Sequence, residues 1–353
     1  MKSRIPEIHG GVRMLVLAGL VLAAQSASAQ TYSITDLGTL QGDRSSACAI
    51  NSAGEIVGKA STSSGAEHAF LYTSGTMIDL GTLGGESSAA LGINNSGEIV
   101  GYAALLDGSY RAFIWTGGEL RTLASLGGAY NAAYAINDSG TIVAEAYSSA
   151  GLPQSFLVDG VQTTDLAALN GNASEESIAA SFGINSSGQV AGYRYLTTGN
   201  YHAALSTGGT LVDLGTLGGT WSKASAVNDA GQVAGESYTS GNRGIHAFLY
   251  SDGKITDLST LGGANSTARS INNAGQIVGG STVHGSNAEH AFVYASGRMQ
   301  DLNALISPGS GWVLTRANAI NDAGQIVGYG TINNHQHAFL LTPVRQRPAT
   351  PVQ

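Results

Sequence analysis

The sequence predicts an all-β fold: a seven-bladed β-propeller of four-stranded blades, closed by an N-terminal strand pairing with the last blade. Three observations carry this reading. Three separate sequence blocks each recur seven times in constant order. No stretch shows the 3.6-residue apolar period of an amphipathic helix. The repeat region also begins and ends out of phase by one strand, which a ring needs and an open solenoid does not.

The first block reads INSAGEIVG, with its leading Asn at Asn51, Asn94, Asn137, Asn185, Asn228, Asn272 and Asn321. The second, HAFLY, starts at His68, Arg111, Gln154, His202, His246, His290 and His337. The third, DLGTLGG, starts at Asp36, Asp79, Thr122, Asp165, Asp213, Asp257 and Asp301. A period of 43–49 residues holding four short strands is that of a propeller blade. In the first unit strand A is SSACAI. A tight turn follows, in which Gly54 is free to take positive φ. Strand B is EIVGKA, a connection of about ten residues leads to strand C (HAFLY), and a turn at Gly75 leads to strand D (MIDLG). Ala69-Phe70-Leu71 and Ile56-Val57-Gly58 are apolar on both parities, as expected of strands covered on both faces by neighbouring blades. The region opens on YSITDLGTL, a lone strand D, and closes on HAFLLTPV, a strand C with no D after it. Residues 32–38 therefore supply the missing strand of blade 7.

Composition narrows the class further. Gly contributes 50 of 353 residues without a G-X-Y period, which excludes collagen. Charged residues are 11%, against about 25% in an average soluble domain, too few for a coiled coil or a charge-driven disordered chain. One cysteine, Cys48, excludes an intrachain disulfide and reads as a small buried hydrophobe. A net charge of −8 with no basic block argues against a nucleic-acid partner. Residues 1–29 read as a signal peptide: Lys2, Arg4 and Arg13, then the apolar Met14–Ala24, then Ala27-Ser28-Ala29 before Gln30. The expected organisation is leader 1–29, propeller 30–343 and Pro-rich tail 344–353. No later segment is long and apolar enough for a membrane helix. The expected product is a secreted monomer, extracellular or periplasmic, with no cofactor or metal.

Several residues invite chemistry. His68 and Asp79, His202 and Asp213, His246 and Asp257, and His290 and Asp301 each stand 11 apart, so they meet across a hairpin. The clasp brings Asp36 to His337. In the two units without His, Arg111 faces Thr122 and Gln154 faces Asp165. A His beside a carboxylate suits acid/base work or metal ligation. Five dispersed copies with no third group suit neither, so the pairs are expected to pin hairpins. The NDAGQ-type turns lack the alternating acids and terminal Glu of a calcium loop, and their Asn is expected to bond its own turn.

The B–C and D–A connections share one face and carry the length variation. The third block lies 15 residues from the next Asn in five units and 20 in two. Trp221 and Trp312 fall in D–A segments; Tyr110, Tyr195, Tyr201 and Tyr238 fall in or beside B–C loops. Exposed aromatics on a surface of low charge stack on sugar rings or anchor a protein partner. An enzyme needs polar residues unique to single blades, and Glu175, Glu176, Arg316, Asp107 and Arg194 are the candidates.

With INxxGxIVG, HAFLY and DLGTLGG in register, residues 32–342 resemble the bacterial extracellular HAF repeat family. His68-Ala69-Phe70, His246-Ala247-Phe248, His290-Ala291-Phe292 and His337-Ala338-Phe339 match its motif directly. His202-Ala203-Ala204 departs at Phe, and Arg111 and Gln154 depart at His. The resemblance implies export and supplies no catalytic residue. The leading expectation is an exported, non-catalytic binding module that presents its loop face to a glycan or protein partner. The alternatives are a secreted glycosidase- or lyase-type propeller and a purely structural extracellular component.

Overall fold

The structure is a computed structural model and describes residues 30–123, 128–147, 153–160, 162–166 and 178–344. The expected signal peptide, the tail from 345, and Glu175 and Glu176 lie outside these residues. Seven four-stranded antiparallel sheets form a closed ring. Blade 1 consists of strands A to D at Gln41–Ile50, Ile56–Thr62, Glu67–Thr73 and Thr76–Gly81. The same order repeats through blade 6. Blade 7 takes strands A to C from Val313–Ile320, Ile326–Ile332 and His335–Pro343 and strand D from Tyr32–Asp36. That clasp pairs Tyr32 with Pro343 through to Asp36 with Phe339. No helix among the described residues is long and apolar enough to cross a membrane.

Strand A of each blade lies innermost and packs against strand A of its neighbours. It carries a bulge in every blade, between Ala47 and Ala49 in blade 1. The bulge turns a strand-A carbonyl onto strand B, at a position that is glycine in six blades and Ala144 in blade 3. A Cβ on Gly58 would sit 2.1 Å from the Ser46 carbonyl oxygen, and one on Gly235 would sit 2.1 Å from that of Lys223. Across the next ladder these glycines face the Phe of strand C, Gly58 opposite Phe70 and Gly235 opposite Phe248. The bare backbone receives the ring, and both Phe side chains are fully buried. The recurrence of IVG in step with HAF is thus one packing unit.

The repeat Asn closes the A–B turn face. Asn51 Oδ1 accepts from the backbone N–H of Ala53 and Glu55. Its Nδ2 donates to Glu55 Oε2 and to the Asn94 carbonyl of the next blade. The interblade bond repeats from Asn94 to Asn137, then Asn185, Asn228, Asn272, Asn321 and back to Asn51, at 2.9–3.2 Å. Both Asn51 amide hydrogens are donated and its oxygen accepts twice, and the seven equivalent side chains form a closed ring around the axis.

The DLGTLGG segment departs from expectation in blades 1, 5 and 6. It is not a free loop there: its end, Gln41-Gly42 in blade 1 and Gly-Gly in blades 5 and 6, joins strand A, which runs for ten residues. Gln41 pairs with Thr62, Gly218 with Thr239 and Gly262 with Val283. Gly219 and Gly263 lie so close to strand B that a Cβ would overlap it, and these side-chain-free residues permit the approach.

Candidate functional site

The five His–Asp pairs form as hydrogen bonds from ring Nδ1, at 2.7–3.0 Å, in blades 1, 4, 5, 6 and 7. A carboxylate only accepts, so Nδ1 carries the hydrogen. Asp79 stands opposite Phe70 rather than His68, and a bulge beside Ala69 lets the imidazole reach it diagonally. The same carboxylate accepts from the N–H of Gly81, which fastens the exit of strand D. Arg111 instead donates to the carbonyls of Tyr110 and Ala129. Among the described residues, no group of three or more His, Cys, Asp or Glu is placed to hold a metal ion.

The aromatic candidates divide. Trp312 is a correction: it is 9% exposed, meets Phe339 edge-on at 6.2 Å and belongs to the core shared by blades 6 and 7. The longer D–A segment before it folds inward, because a large indole gains more from burial than a loop tip offers. Trp221, Tyr201, Tyr195 and Tyr238 gather with residues that the repeat pattern had not singled out. Tyr201 stacks on Trp221 at 5.3 Å, and Trp221 meets Tyr238 at 4.7 Å. Tyr195 and Tyr201 both contact Tyr193, which stacks on Phe182, which meets Tyr134 edge-on. Tyr110 belongs to a second group with Tyr102, Tyr130 and Tyr147. Tyr130 and Tyr134 lie close enough to shift each other's phenol, so the two groups adjoin. The result is an arc of aromatic rings across the loop-side ends of blades 2 to 5. Tyr195, 44% exposed, and Tyr147, 38% exposed, project furthest from it.

Charged groups lie under and beside the arc. Lys223 Nζ sits 4.2 Å from the centroid of Phe182 and 5.8 Å from that of Tyr193. Burial lowers its pKa, opposed by Glu236 and Glu145. Glu145 is itself buried, and desolvation raises its carboxyl against a Tyr147 hydrogen bond and the pull of Lys223. Burial likewise raises the phenols of Tyr134 and Tyr193, which stay protonated donors. Blades 6, 7 and 1 carry ion pairs instead. Arg316 grips Glu289 bidentately at 2.6–3.1 Å, and Lys59 meets Glu67 at 2.7 Å. Arg316 is therefore committed within the fold, while Asp107 only caps an exposed turn by accepting from Ser109.

Tyr134 and Phe182 also line the axial channel. The residue three before the repeat Asn forms a ring there: Cys48, Leu91, Tyr134, Phe182, Ser225, Arg269 and Asn318. Cys48 is partly buried in this lining, and burial pushes its thiol up to about 11. These seven side chains are all different at one fixed place in a repeat whose neighbouring positions barely change. That contrast was the sequence signal for the missed residues.

Fold and surface together define a ring scaffold with one constant face and one individual, aromatic face. The chain belongs to a family described as "Protein of unknown function (DUF3466)", whose sequence model matches residues 160–342. No curated protein matches it. Among solved structures it is similar to the β-propeller domain of the Trilobed protease from Pyrococcus furiosus, which is described as having an open velcro topology. That match has 7% identity and a TM-score of 0.53, over 86% of this chain and 98% of that one. It is also similar to a puromycin-hydrolyzing peptidase from Mycobacterium tuberculosis, at 11% identity and TM-score 0.54, over 90% of this chain and 53% of that one. A third match is TolB from Acinetobacter baumannii, at 15% identity and TM-score 0.45, over 71% of this chain and 64% of TolB. At these identities the likeness is one of fold, and the chain spans less than two thirds of TolB and of the peptidase.

Proposed function

We propose that this chain is an exported, non-catalytic binding propeller of the HAF-repeat kind, and that its aromatic arc holds a glycan. The arc is the observation that carries the reading. Identical blades need no aromatic specialisation to close a ring, yet blades 2 to 5 place rings in contact at the loop face. Tyrosine dominates the arc, so it combines ring faces for the C–H side of a sugar with hydroxyls for its polar edge. Export is proposed from the leader at 1–29.

The test is affinity electrophoresis of the chain through gels containing a panel of soluble polysaccharides. At least one polysaccharide should retard the wild type, and the Tyr195→Ala, Trp221→Ala double variant should migrate freely in it. Both variants remove partly exposed rings, so the melting temperature should fall only slightly. Retardation that survives the double substitution would place the site elsewhere. An unretarded wild type with a protein captured at the same face would favour a protein partner.

A further inference from the structure

We propose that the loop-side mouth of the axial channel is an anion subsite of this glycan site, and that the ligand is an acidic saccharide carrying uronate groups. The proposal rests on the glycan reading above and adds the ligand's charge.

Lys223 on blade 5 and Arg269 on blade 6 carry it. Arg269 is exposed and lines the channel cavity, which measures about 220 Å³. Lys223 is half-buried, and the Arg269 guanidinium lies near enough to disfavour its charge. Among the described residues, neither side chain makes an ion pair or hydrogen bond; the contacts of the Lys223 ammonium are the faces of Phe182 and Tyr193. The contrast lies on the same face, where Lys59 and Arg316 each have a carboxylate within 2.7 Å. Burial and the neighbouring guanidinium make the Lys223 charge costly, and an arriving anion offsets that cost.

The acids nearby offset the pair only in part. Glu236 stands opposite Lys223 on the adjoining strand without an ion pair between them. Glu145 is buried, and burial favours its neutral form. The cavity has room for a carboxylate and a few waters. The sugar ring would lie outside, against the exposed Tyr195 and the stacked pair of Tyr201 and Trp221.

Calorimetry with the full chain, an oligogalacturonate and its methyl ester tests the idea, because the two ligands share a backbone and differ in charge. The acid should bind about tenfold more tightly than the ester at low salt, and the gap should narrow as salt rises. Arg269→Ala, an exposed substitution, should abolish most of the preference while leaving ester binding and the melting temperature unchanged. Lys223→Met should also narrow the preference for the acid. Equal affinity for acid and ester, or a preference that survives Arg269→Ala, overturns the proposal. If the ester binds through Tyr195 and Trp221 with no charge preference, the glycan reading stands and the subsite falls. If neither ligand binds and the polysaccharide panel is empty, both fall. Tighter binding of a sulfated oligosaccharide than of the uronate would overturn the carboxylate assignment.

Discussion

The Asn228 amide makes three hydrogen bonds. Oδ1 accepts from the backbone of Gln232, and Nδ2 reaches both Gln232 Oε1 and the Asn272 carbonyl. No other residue type offers an acceptor and two donors at this reach, which explains why the position never varies among the units. Asn228→Ala strands a buried carbonyl on the next blade and should cost about 2 kcal/mol, read as a lower denaturation midpoint at unchanged slope. Glu145 makes the opposite kind of statement. Its carboxyl is held above the ordinary range by burial. Below that range the folded and unfolded chains are both protonated, and burial costs nothing. As pH rises through it, the unfolded chain ionises first and stability falls. Glu145→Gln should therefore raise the melting temperature at pH 7 and show no gain near pH 4. A gain independent of pH would mean that the carboxyl is not responsible.

At the level of elements, the pairing of Gly and Phe across strands B and C is the unit that the repeat preserves. Gly235→Ala introduces a Cβ 2.1 Å from the Lys223 carbonyl and 2.8 Å from the Phe248 ring, so strand A must move or the ring must leave. A loss of about 3 kcal/mol is expected by chemical denaturation. Gly253→Ala, in an open C–D turn where a Cβ meets nothing, should cost less, through its positive φ alone. Blade 3 has lost several of these devices. Thr141 replaces the Glu or Gln beside the turn Asn, and Gln154 replaces His. Buried Asn131 stands where Ser88 and Ser222 clamp the preceding blade, with neither amide atom bonded. Hydrogen exchange should find blade 3 the least protected of the seven. Slower exchange there than in blade 5 would contradict this.

At the scale of the molecule, architecture was legible because it is repeated: seven copies average out local ambiguity, and the missing last strand exposed the clasp. The site was legible only in part, because it is written in the departures from the repeat. Trp221, Tyr195, Tyr201 and Tyr238 stood out as aromatics near loops, yet that criterion also selected Trp312, which packs inward. Phe182, Lys223 and Arg269 lie within strand A, where loop length carries no information and only the curvature of the ring brings neighbours together. A charge balance of −8 hid a local cationic mouth. The central claim is that binding belongs to the individual face and closure to the constant one. Hydrogen-exchange mass spectrometry of the full chain, with and without the polysaccharide that retards it most, tests this directly. Protection should appear at 193–201 and 221–238, with the Asn turns at 51–55, 94–98 and 272–276 unchanged. Protection confined to those Asn turns would contradict the account.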